Sequence, residues 1–172
     1  MPTRASKGSP PKTRAIAWPV SDPMSEPTSA VIGLDHGSRR IGVAVGSLET
    51  GQAFARAALQ RRSQSADLEW LADLARSENA TLVVVGLPRN MDGSEGPQAA
   101  AARAFGGQLL TLGFEVVYVD ERLTSWEAGE RLAAEGRRPS RTSGEQDSAA
   151  ARLILQEYLD ARATPHPPQE NA

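Results

Sequence analysis

Three carboxylates stand where an ordinary surface charge would not be expected. Asp35 ends an apolar run over Ala30–Leu34, and Glu121 follows a second run over Phe114–Val119. Asp147 falls in the first turn of the last predicted helix, on the turn preceding an apolar stripe that includes Ile154 and Tyr158. A carboxylate beside such a stripe is costly without a partner. In an open α/β sheet, ligands bind outside the carboxyl ends of the strands, which is where Asp35 and Glu121 project. Three acids meeting there repel one another unless a cation sits between them. A hard divalent ion with oxygen ligands, Mg²⁺ or Mn²⁺, relieves that repulsion and stabilises charge developing on a phosphodiester. Each acid alone also has a plain structural explanation: a turn residue, a strand exit, a favourable charge at a helix start. Their joint placement is what points to chemistry.

The rest of the composition narrows the options. The 172 residues include no cysteine, which removes disulfides, thiolate nucleophiles and cysteine-based zinc sites together. With His36 and His166 as the two histidines, a histidine-rich metal site or a Ser-His-Asp triad is hard to build. His36, beside Asp35, reads as a turn-exposed side chain rather than a proton shuttle. Chemistry must then run on carboxylates, hydroxyls and arginine. Nineteen basic against 21 acidic residues leave a net charge of −2, so any nucleic-acid contact must be local rather than a basic coat. From Arg14 onward every basic side chain other than histidine is arginine, which suits forked contacts with phosphate. Arg39, Arg40, Arg89, Arg122, Arg137, Arg138 and Arg141 fall in predicted loops near the acids and are read as a nucleic-acid-binding rim. For any one of them, solvation or a surface ion pair is the simpler account.

The elements that must position these groups follow from periodicity. Residues 1–29 carry six prolines among Ser and Thr, and 164–172 has the same character, so both read as disordered tails around a folded unit over 30–163. Within that unit, Ala30–Leu34 and Ile41–Val45 predict a hairpin, and Phe54–Leu59 a third strand. Leu68, Leu71, Ala72 and Ala75 predict a helix with Ser65 as its cap. Thr81–Gly86 predicts a central strand covered on both faces. Pro97 opens a helix carrying Ala102, Phe105, Leu109 and Leu112, and Phe114–Val119 is the last strand. Thr124 and Glu127 fit a capping box opening a helix to about Glu135, and Ser143 with Gln146 caps the final helix to about Tyr158–Ala161. Trp70 and Trp126 read as packing residues on helices. The order predicts an α/β mixed sheet: an antiparallel three-strand meander plus parallel strands, flanked by helices. No stretch approaches the ~20 apolar residues of a membrane span, so the expectation is a cytoplasmic protein without membrane contact.

Four ordered motifs resemble the YqgF/RuvX family. They are Ile32-Gly33-Leu34-Asp35-His36-Gly37 with Arg40–Val45, then Val85–Gly96, then Asp120–Ser125, then Asp147–Ala150 through Ile154–Leu159. The resemblance spans about 30–161. It implies a ribonuclease-H-like fold related to resolvases of the RuvC type, and either Holliday junction resolution or 5′-end maturation of precursor 16S rRNA. It further implies that Asp35, Glu121 and Asp147 are the metal-binding catalytic acids, with structured RNA or branched DNA as the partner. A homodimer is expected by analogy of fold alone. Two positions depart from the family pattern: Gly46-Ser47 stands where Ser-Asp is frequent, and Glu145 where a lysine is common. The Glu145 departure, with the net acidity, motivates an alternative reading as a non-catalytic RNA-binding module in ribosome assembly or transcription. A nucleotide phosphotransferase of the actin type needs two such domains, and the chain supplies one.

Overall fold

The computed structural model describes residues 28–122 and 144–163. Five strands form one mixed sheet in the order β3-β2-β1-β4-β5. β1 (Ala30–His36), β2 (Arg40–Ser47) and β3 (Gln52–Gln60) make the antiparallel meander. β4 (Leu82–Leu87) runs parallel to β1, and β5 (Glu115–Asp120) parallel to β4. Between them the chain crosses over through α1 (Gln64–Glu78) and α2 (Pro97–Thr111), and it returns across the sheet as α3 (Glu145–Ala163).

Alternation along the strands divides the core into two layers. Ile32 and Leu34 of β1, with Val83 and Val85 of β4, pack against Leu71 of α1 and Phe105 and Leu109 of α2. Val31, Ala44 and Val84 face the opposite way and pack against Ala151, Ile154, Leu155 and Leu159 of α3. Every residue of β4 is buried, because it lies inside the sheet with helices on both sides. Burying each large aliphatic of α3 is worth about 1.5–3 kcal/mol, which is what holds that helix on the meander.

Several sequence expectations shift by a residue or two. β1 extends through Asp35 and His36, so these are strand residues rather than turn residues. α1 is capped by Ser63, not Ser65: the Ser63 hydroxyl accepts the Ala66 amide at 3.2 Å. The cap moves back because the Asp67 carboxylate accepts the Arg62 amide at 3.2 Å and the Arg61 guanidinium at 3.1 Å, drawing the chain into its first turn earlier. Trp70 packs against the core as expected. The helix expected from Thr124 to Glu135, Trp126, the Ser143 cap, and the tails before Thr28 and after Ala163 lie outside the described residues.

Candidate active site

Asp35 is directed toward the α3 face. Val31 and Gly33 lie under α3, and Asp35 continues their alternation at the end of β1. Its partner across the hairpin is Gly42 of β2. A side chain on Gly42 would strike the backbone carbonyl of Asp147, so the bare glycine lets the first turn of α3 settle directly on β2. That close approach brings Asp147 beside Asp35.

Glu121 arrives from the other side. It is the residue after β5, and its carboxyl group occupies the space that a side chain on Gly86 would need. Gly86 belongs to β4, the strand between β1 and β5, one step beyond the Leu34–Val85 pair. Glycine at that position therefore opens the space between the strand ends that carry Asp35 and Glu121.

The electrostatics follow from this crowding. Burial, and then the charge of Asp147, push Asp35 up to about 6. Burial, then the charges of Asp35 and Asp120, push Glu121 up to about 7. Asp35 therefore feels Asp147, and Glu121 feels Asp35: the three acids share one region of negative potential. Asp147 is balanced differently, since its Oδ2 accepts the Arg40 Nε–H at 2.7 Å with both side chains about one-third exposed. Among the described residues, no three acidic or imidazole groups stand ready as a closed metal cage. The Asp147 carboxylate is directed to Arg40 instead.

Arg39, Arg40, Arg89 and Arg122 all emerge at the same end of the sheet as the acids. Their partners differ. Arg39 is exposed at the β1–β2 turn. Arg40 serves Asp147. Arg89 lies 3.4 Å from Glu95 and 3.7 Å from Asp120, while Arg122 holds both oxygens of Asp120. Arg137, Arg138 and Arg141 lie outside the described residues.

His36 proves to be no turn-exposed side chain. Its ring stacks on Phe105 at 4.9 Å between centroids, on the sheet face opposite Asp35. Its Nε2 is buried, and burial followed by the charge of Arg61 lowers its pKa. Sequence reading also missed the ion pair of half-buried Arg61 with buried Asp67, which ties the β1–β2 turn in place through a hydrogen bond from Arg61 to the Gly37 carbonyl at 3.1 Å. Three arginines in the nine residues Arg56–Gln64, with Asp67 at a helix start, were the available signal.

Solved structures that share this ribonuclease-H-like architecture include Holliday junction resolvases. The Thermus thermophilus RuvC structure matches with a TM-score of 0.54 and 15% identity, covering 78% of this chain and 96% of that one. The yeast mitochondrial Holliday junction resolvase matches with a TM-score of 0.51 and 12% identity, covering 83% and 82%. These likenesses define the fold class. The model of the RuvX family, described as Holliday junction resolvase, matches residues 29–161, and the chain belongs to that family. Among curated relatives, a protein of an Anaeromyxobacter strain is 45% identical over 133 residues, covering 77% of this chain and 97% of the relative. One from Synechococcus elongatus is 43% identical over 144 residues, covering 81% and 94%. Both carry the name of a candidate pre-16S rRNA nuclease.

Proposed function

We propose that this protein is a divalent-metal-dependent nuclease that hydrolyses phosphodiester bonds in structured nucleic acid. Its substrate is the 5′ end of precursor 16S rRNA, a Holliday junction, or both. The observation that carries this reading is that Asp35 and Glu121 lie in one region of negative potential, with the Glu121 carboxyl group over the bare Cα of Gly86. The family match and the names of the relatives support it.

The donor set fits Mg²⁺ or Mn²⁺: it is all oxygen, and two of its carboxylates are lifted by burial first and then by the charge of neighbouring acids, so a cation is favoured there. Asp35, Glu121 and Asp147 would hold the ion, with Asp147 leaving Arg40 to do so. When bound, such an ion supplies Lewis acidity toward the phosphodiester. The chain's own residues do the positioning. β1 and the β5 exit fix two carboxylates on rigid elements, and α3 delivers the third over Gly42. Arg39, Arg40, Arg89 and Arg122 at the same edge, with Arg137, Arg138 and Arg141, would contact flanking phosphates and set the register of the strand. Two copies related by a twofold axis would present two such sites to a symmetric junction. The reading includes a cytoplasmic location and a folded unit over 30–163 between two tails; no helix among the described residues is long and apolar enough to cross a membrane.

The test is digestion of a four-way DNA junction and a precursor-rRNA leader side by side, with Mg²⁺, with Mn²⁺ and with chelator, comparing wild type and Asp35→Asn. Metal-dependent cleavage lost in the variant is expected. Equal cleavage by both proteins would remove the assignment. The hold of Arg40 on Asp147 favours a second reading, a non-catalytic RNA-binding module, which tight RNA binding without turnover would select.

A further inference from the structure

The turn from Arg89 to Gly96, between β4 and α2, is internally braced. The Asn90 amide donates to the Ser94 carbonyl at 2.9 Å and the Gly93 amide to the Asn90 carbonyl at 2.8 Å. The Asn90 side chain donates to the Ser94 hydroxyl at 2.9 Å, and that hydroxyl donates to Asp92 at 2.6 Å. Arg89 and Glu95 close the base as a β-bridge, and Arg103 grips Glu95 with two hydrogen bonds of 2.6 Å. Gly93 supplies the positive φ of 85° that the turn requires.

One side chain takes no part in this bracing. Met91 is 94% exposed, far more than Phe54 at 56% or Leu110 at 53%, the next most exposed large apolar residues among those described. A polar residue would serve a solvated turn equally well. The turn also lies against both neighbours of Glu121. Arg89 reaches Asp120 at 3.7 Å, and a Cβ on Gly93 would lie 3.5 Å from the Arg122 guanidinium. A rigid mount thus holds an apolar probe in solvent beside the candidate active site.

We propose that Met91 is a wedge that enters the base stack of nucleic acid held at the acids and opens the step beside the bond to be cut. The proposal rests on the nuclease reading. An unbranched thioether suits this use, since it is flexible, polarizable and makes favourable contacts with aromatic faces, and apolar side chains of this kind unstack and kink base steps. Bracing of the turn means that little conformational freedom is lost when the wedge inserts. Arg89 and Arg122 at its base would offer their guanidinium groups to the backbone of an opened strand.

The experiment uses the full chain carrying Asp35→Asn, with Mg²⁺, and a four-way DNA junction and an rRNA leader each labelled with 2-aminopurine next to the branch or cleavage site. Fluorescence anisotropy reads binding, and 2-aminopurine emission reads unstacking. Binding is expected to raise emission. Met91→Ser should abolish that rise while anisotropy still reports a complex, and Met91→Leu should keep it. In the otherwise wild-type chain, Met91→Ser should slow cleavage about tenfold through kcat rather than KM. An unchanged rise with Met91→Ser, or a complex with no rise in the unsubstituted turn, overturns the wedge and leaves the nuclease reading standing. No anisotropy change with either probe overturns both.

Discussion

The carboxyl group of Glu121 sits where a side chain on Gly86 would be, and this contact determines the shape of the candidate site. β4 separates β1 from β5. Any residue but glycine at position 86 would fill the gap between Asp35 and Glu121. A Cβ there would also meet Ile154 Cδ1 at 2.5 Å, so both the Glu121 carboxyl group and the end of the Ile154 side chain would have to shift.

Gly86→Ala should therefore damage stability and the site together. Overpacking of a buried position costs about 1–3 kcal/mol, measurable by urea denaturation. Cleavage should be lost even at temperatures where circular dichroism shows the variant folded. A variant with wild-type stability and activity would contradict the packing described.

Arg40→Gln separates two roles of that arginine. The Arg40–Asp147 pair is about one-third exposed, so its loss should cost at most about 1 kcal/mol of stability. Releasing Asp147 should tighten Mn²⁺ binding, read by calorimetry, while affinity for nucleic acid falls. Weaker Mn²⁺ binding would show that Asp147 needs Arg40 for its orientation.

Metal-free stability should fall as pH rises. Asp35 keeps its proton up to about 6 in the folded chain against its ordinary 3.8, and Glu121 up to about 7 against its ordinary 4.5. The folded state thus binds more protons than the unfolded state across these windows, and raising the pH favours unfolding. For Asp35 the loss is on the order of 3 kcal/mol at about 1.4 kcal/mol per unit. Glu121 contributes less than its shift suggests, because solvent screens its more open carboxylate. In chelator, the Tm should drop between about pH 4 and pH 8. Asp35→Asn should flatten that drop and raise the Tm above neutrality, and Mg²⁺ should restore the wild-type Tm. A Tm independent of pH would exclude the shared region of negative potential.

Arg61→Met should destabilise the fold more than loss of an exposed ion pair. Asp67 is 1% exposed, and removing the guanidinium leaves its buried carboxylate with the Arg62 amide but one partner short, a cost of about 1–3 kcal/mol. The double variant Arg61→Met with Asp67→Leu should recover part of it, as a double-mutant cycle by urea denaturation would report.

Reversing Arg137, Arg138 and Arg141 to Glu should weaken nucleic-acid binding and flatten its salt dependence, since each lost phosphate contact lowers the slope of log K against log salt by about 0.9 on duplex DNA. Unchanged binding at low and moderate salt would count against the arginine rim.

Much of this architecture was legible in the chain. Periodicity alone separates a meander from helical crossovers, because side chains alternate along strands and recur every third or fourth residue on helices. It places Asp35 and Glu121 at strand ends and Asp147 in a first helical turn, since these are local positions. Long-range packing decided the rest. That Gly42 and Gly86 are the gaps admitting Asp147 and Glu121 depends on which strand lies beside which and how closely α3 descends, and neither distance is written in local spacing. His36 and Asp35 are adjacent in the chain yet belong to opposite faces, because β1 continues two residues further than its apolar run. The choice of Asp147 as partner for Arg40 is likewise tertiary: 107 residues separate them, and the contact exists because a helix start rests on a bare strand.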